Sequence, residues 1–295
     1  MPKGVEVQVL SAAHFCYTIL MLWLILLTFF CHPVVFAQNI PSPLVTQDLG
    51  STIQEPIPTP TPNILLQYQT DYLYQRDLYQ QAYLTYINKR QVHTKYQSLT
   101  TQKDKLEATK NALLARNNLL KSYLLALRVS LDPYKTQNPT ETEKNQIEIS
   151  KWETYFDEQN SIVSALNNEA DISRWANDFK TKYISIQQVI YAALVRQEVN
   201  QKSSIIADIE TLATTIQSNP NLKPEGQNWF SNLPIKIDLV KTATNDAFNQ
   251  SQRQQNQNNF INFYPSAKVE LNKATGYLTE INDNLKSIVI KFWQK

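Results

Sequence analysis

The sequence predicts an all-α fold, an elongated antiparallel helical bundle or coiled coil of four or five helices. Three observations predict it. Glycine is scarce, with only Gly50, Gly226 and Gly276 after the first few residues of 295. A sheet-rich fold needs more turns at positive φ than that. Val92, Leu99, Leu106, Leu113, Leu120 and Leu127 recur every seven residues. Near the C-terminus Ala267, Leu271, Ala274, Leu278, Ile281, Leu285, Ile288 and Phe292 alternate by four and three, the spacing of a narrow apolar helix stripe.

The N-terminal 37 residues read as an export signal. Lys3 precedes an apolar run from Tyr17 to Cys31, and Val35-Phe36-Ala37 is a small-x-small cleavage pattern, with Ala37 and Gln38 flanking the cut. Tyr17 to Ala37, 21 residues, is long enough to span a bilayer if it is left uncut. Positive charge lies only on its N-terminal side, which predicts the bulk of the chain outside the cytoplasm either way. The expected localisation is therefore secreted or cell-surface, or membrane-tethered through this segment. Both cysteines (Cys16, Cys31) lie within the first 37 residues, so a chain starting at Gln38 has no disulfide to stabilise it. Residues 38–62 hold six prolines and read as an extended, disordered linker.

The helical part is expected over 63–295. Between Asn63 and Asp132 there is no glycine or proline, which predicts one long helix at about 64–131. Unbroken, it would be roughly 100 Å long. Asn138, Pro139 and Glu141 form the clearest helix start in the chain and open a helix at about 139–167. A further helix is expected at about 171–218. Asp171 is a candidate cap for it, and a helix running straight through from 139 is the alternative. Its second half carries Ile205, Ile209, Leu212 and Ile216 after polar Gln197 and Asn200 interrupt the seam. Pro220 to Pro234 reads as a loop anchored by Trp229 and Phe230. Helices at about 235–262 and 266–293 follow, the latter capped by Ser266. Asn249 to Asn259, nearly all Gln and Asn, reads as a polar helix end.

Charge predicts which segments meet. The 64–131 segment carries ten basic and four acidic residues, while 139–219 carries seven basic and twelve acidic. Opposite fields favour the first helix lying antiparallel against the second and third, although exposed pairs contribute at most about 1 kcal/mol each.

Composition narrows function. A formal net charge of +2 argues against a nucleic-acid partner. No phosphate loop, dinucleotide fingerprint, nucleophile elbow or metal-ligand spacing occurs, so no catalytic, cofactor-binding or metal residues are assigned. His93, the one histidine after the signal, reads as structural. Glu153 and Asp157 share a helix face beside Trp152 and Phe156. Paired carboxylates of that kind would suit a glycan hydrolase, but a continuous helix face is convex and reads as solvated. Tyr68, Tyr72, Tyr79, Tyr83 and Tyr86 lie on one side of the first helix. They form either a core stripe or a surface for a protein or cell-wall glycan partner. The expectation is an exported non-enzymatic rod or scaffold at the cell surface, binding a protein partner or itself through helical seams. Membrane contact is expected only through the N-terminal segment. A helical pore-forming toxin is the alternative and a glycan hydrolase the more remote one. The apolar runs Tyr123 to Val129 and Val189 to Val195 are far shorter than a bilayer span requires.

Overall fold

The structure is a computed structural model that describes residues 64–136, 138–218, 224–254 and 263–293. The signal, the Ala37–Gln38 cleavage site and the Pro-rich linker lie outside the described residues, as does much of the Gln/Asn-rich stretch. Among the described residues there are six α-helices and no strand: α1 (Ile64–Tyr96), α2 (Leu99–Ser130), α3 (Pro139–Ala165), α4 (Glu169–Gln217), α5 (Pro224–Gln254) and α6 (Phe263–Trp293). A 3-10 turn, Asp132–Tyr134, links α2 to α3.

The long first helix is a hairpin instead. Gln97 adopts φ 47°, and Ser98 follows in an extended conformation. The Ser98 hydroxyl accepts from the Thr101 N–H at 3.2 Å, and the Ser98 N–H donates to Thr101 Oγ1 at 3.1 Å. This reciprocal cap satisfies N–H groups that a helix start would otherwise leave bare. The seven-residue leucine pattern runs across the break by coincidence. Leu120 and Leu127 are buried, whereas Leu99 is 85% exposed. The useful apolar face of α1 is a different one, Tyr72, Tyr79 and Tyr86, seven residues apart and buried.

Charge brings α2, not α1, to the acidic helices. Lys121 pairs with Asp157 at 2.6 Å and Arg128 with Glu153 at 2.8 Å, placing α2 antiparallel to α3. Lys105 pairs with Glu169 at 2.7 Å, and the Arg116 guanidinium lies 4.1 Å from the Phe179 ring centre, so α2 runs parallel to α4. α1 folds back on α2: the Tyr72 and Tyr123 rings are 5.6 Å apart near one end, and Lys89 meets Asp104 at 2.8 Å near the other.

Residues 139–217 form two helices. Asn168, not Asp171, caps the second; its side-chain oxygen accepts from the Asp171 N–H at 2.9 Å. α4 then continues for 49 residues, about 73 Å. It threads two cores. The first joins α2, α3 and α4 around Leu124, Ile149, Phe156 and Ile186, and reaches Ala247, Phe263 and Leu271 of the last two helices. The second joins the C-terminal end of α4 to α5 and α6 around Ile216, Val240, Ala274 and Ile281. The seam entering it is Ile206, Ile209, Ala213 and Ile216, while Ile205 (39% exposed) and Leu212 (46%) face outward. Ile206 and Ala213 thus take the inward places that the spacing gave to their neighbours Ile205 and Leu212, after the buried polar positions Gln197 and Asn200.

α5 begins eleven residues earlier than expected and contains Pro234 in its interior. Pro234 lies on the exposed side, while Phe230, Leu233 and Ile237 are buried on the other. Packing of that face outweighs the missing hydrogen bond of the proline. α6 likewise includes Pro265 in its first turn, where no N–H is needed. Its stripe from Ala267 to Ile288 is buried against α5 and α4, with Lys236 bonded to Glu280 across the antiparallel α5–α6 pair.

Candidate functional site

The tyrosines of α1 are placed by helix periodicity. Tyr72, Tyr79 and Tyr86 pack inward on α2, and Tyr68 and Tyr83 are half-buried beside them. Tyr83 stands between Tyr79 and Tyr86, its ring 6.1 and 6.2 Å from theirs. Tyr79, Tyr83, Tyr86, Ala112, Leu113 and Arg116 line a cavity of about 30 Å³. That volume suits a water molecule, not a sugar ring. Arg116, which sequence reasoning passed over, ties this layer to α4 by lying over Phe179 and Trp175.

Three of the six carboxylates of α3 are engaged in ion pairs with cations on neighbouring helices. Glu153 and Asp157 bind Arg128 and Lys121, and Glu141 binds Arg196. A shallow groove of about 420 Å³ lies beside them, lined by Arg128, Lys135, Pro139, Glu143, Gln146 and Ser150 among others. Of its lining residues only Glu143 is an acid, so the groove does not assemble two facing carboxylates. His93 Nδ1 lies 3.0 Å from Thr101 Oγ1 and ties the two arms of the hairpin. Among the described residues no group of His, Cys, Asp and Glu could hold a metal ion.

The most concentrated buried polarity is at the waist between the two cores. Arg196 is 4% exposed; its Nη1 lies 2.7 Å from Glu141 Oε2 and donates to Asn145 Oδ1 at 2.7 Å. Its guanidinium carbon lies 5.5 Å from the Phe248 ring centre. Burial lowers its pKa and Glu141 opposes that. One turn on, Asn138 Nδ2 donates to Asn200 Oδ1 at 3.1 Å. Lys202 is 6% exposed and lies 3.4 Å from Glu198, which also binds Lys268 of α6. Burial lowers the Lys202 pKa, Glu198 raises it, and Lys268 lowers it again. Tyr191 stacks on Tyr264 at 4.7 Å, and burial raises both phenols. This layer joins α3, α4, α5 and α6 through geometry-dependent polar contacts. Buried ion pairs of this kind add little net stability, because desolvation offsets their attraction. Its one visible trace in the sequence is the break in the seam at Gln197 and Asn200.

The far end of the α1–α2 hairpin has the opposite character. Val92 (41% exposed), Tyr96 (62%) and Leu99 (85%) are presented to solvent at the turn. The paired signal that would have located this turn is Ser98-x-x-Thr101, a capping box with threonine in place of the usual Glu or Gln.

No protein-family model, curated protein or solved structure matches this chain.

Proposed function

We propose that the protein is an exported, non-enzymatic rod or scaffold of coiled-coil type, acting at the cell surface through protein contacts. The observation that carries this reading is the use made of apolar side chains. They are spent on seams between helices strung along the single 49-residue α4, and the pockets beside them are small or shallow. Contact surface for a partner or a second copy is offered by the outward side of α1, where Tyr74 and Leu84 are exposed. Of the five-tyrosine stripe, Tyr68 and Tyr83 keep part of their surface open to such a partner or to glycan. The N-terminal segment supplies export, by cleavage after Ala37 or by retention as an anchor.

N-terminal sequencing of fractionated cells, combined with surface crosslinking, tests the reading. Gln38 at the N-terminus of secreted material, or Met1 in a membrane fraction with the bulk accessible outside, is expected, and crosslinks should include Tyr74 or Leu84. A cytoplasmic chain retaining Met1, with no crosslinked product, would sink it. The helical pore former has a specific obstacle. No helix among the described residues is long and apolar enough to cross a membrane. Tyr123, Leu124, Ala126 and Leu127, in one of its two apolar runs, are core residues. Dye release from liposomes would reinstate it.

A further inference from the structure

We infer that the tip of the α1–α2 hairpin is a docking surface for an anionic lipid bilayer. Three observations on different levels carry this. The first is position. Lys105 of α2 pairs with Glu169 at the start of α4, so the six residues from Leu99 to Asp104 project about 9 Å beyond that level. The Lys89–Asp104 pair places the end of α1 at the same height. The second is apolar exposure. A helical turn ordinarily ends in small polar residues, yet Val92, Tyr96 and Leu99 are exposed together here. The third is charge. Residues 89–104 hold Lys89, Arg90, Lys95 and Lys103 against one acid, Asp104, a net +3 in a chain of net +2.

Charge favours lipid over a protein. The exposed apolar residues of the tip stand among four cations, a combination suited to an anionic bilayer surface. A bilayer surface moulds itself to a convex tip. Leucine and valine enter the acyl boundary, tyrosine rests at headgroup level, and flanking lysines meet anionic headgroups. Lys95 already lies over the Tyr96 ring, 5.0 Å from its centre, which holds cation and aromatic side by side. The contact is peripheral, since no described helix can span a membrane. It adds to any tether made by the N-terminal segment and does not rest on the rod reading.

A fluorophore on the tip reads the contact directly. The full chain carrying Cys16→Ser and Cys31→Ser is labelled at Leu99→Cys with an environment-sensitive dye, and a second sample at Leu212→Cys on the exposed side of distal α4. Both are mixed with phosphatidylcholine vesicles, with or without about 30% phosphatidylglycerol. The expected result is a blue-shifted emission, quenched by a lipid-borne quencher, for the label at 99 and only on anionic vesicles. Lys95→Glu with Lys103→Glu should weaken the apparent affinity about tenfold or more, with an unchanged circular dichroism spectrum. Equal responses at 99 and 212 would mean general adsorption and would overturn the inference. So would a label at 99 that stays in water on both vesicle types, which would leave the tip to a protein partner.

Discussion

At Gln97 the backbone enters the left-handed region with φ 47° and no glycine to ease it. An L-residue with a Cβ is disfavoured there by roughly 1–2 kcal/mol, and Ser98 offsets this by capping α2. Ser98→Ala should therefore lower the unfolding free energy by about 1 kcal/mol, and Gln97→Gly should raise it by up to about 1 kcal/mol, both read from urea melts. The buried phenols set a second expectation. Burial raises the pKa of Tyr123, Tyr264 and Tyr191 above the usual 10.0, with neighbouring groups adding to the shift for the first two. The folded chain keeps protons that the unfolded chain releases, so the stability they contribute is complete below pH 10 and is lost as pH rises further. Each such tyrosine steepens the alkaline fall by up to about 1.4 kcal/mol per pH unit. Lys202 works in the other direction: with its folded pKa lowered, it favours folding as pH rises towards 10.5. Denaturation followed from pH 9 to 11 should show a shallower alkaline limb in Tyr123→Phe/Tyr264→Phe. An unchanged limb would mean that these phenols are not buried.

Helices were legible where one apolar face decided the packing. The α6 stripe from Ala267 to Ile288 could be read residue by residue because its 4-3 spacing has no polar break. Pro234 was misread as a boundary because proline usually stops a helix, and the strength of the Phe230–Leu233–Ile237 contact is invisible until α6 and α4 are in place. Pro234→Ala restores an N–H within an exposed helix face and should raise the melting temperature, by an amount equivalent to about 1–2 kcal/mol. A fall instead would show that the proline ring itself is needed to seat Phe230. The α1–α2 break escaped notice for a related reason. The seven-residue series steps from Val92 to Leu99 straight across it, and only exposure separates Leu99 from Leu120. The tyrosine row raised a choice between core and surface that periodicity cannot make, since a helix face looks the same whether protein or water covers it.

On the scale of the molecule, α4 couples two cores through a waist of buried charge, while the hairpin tip stands apart from both. Hydrogen exchange should follow this layout. Amides of residues 190–195, beneath Ile190, Ala193 and Val195, should exchange slowest, and those of 89–105 fastest. Equal protection along the chain would contradict a tip that projects beyond the bundle. The waist also explains why Arg196 and Lys202 went unassigned. A charged residue in a sequence is read as surface by default, and nothing local marks one such as Arg196, whose partner Glu141 lies more than fifty residues away.

By itself the sequence determined the helical class, because few glycines and regular apolar spacing leave little else for the backbone to adopt. It also located the helix that starts at Pro139, although Asn138 makes no side-chain cap hydrogen bond there. The tertiary structure decided where the first helix folds back, which of two adjacent residues in a seam turns inward, and which ionisable groups are enclosed. Those outcomes depend on the neighbour each side chain meets, and helix periodicity repeats a face without saying what lies opposite.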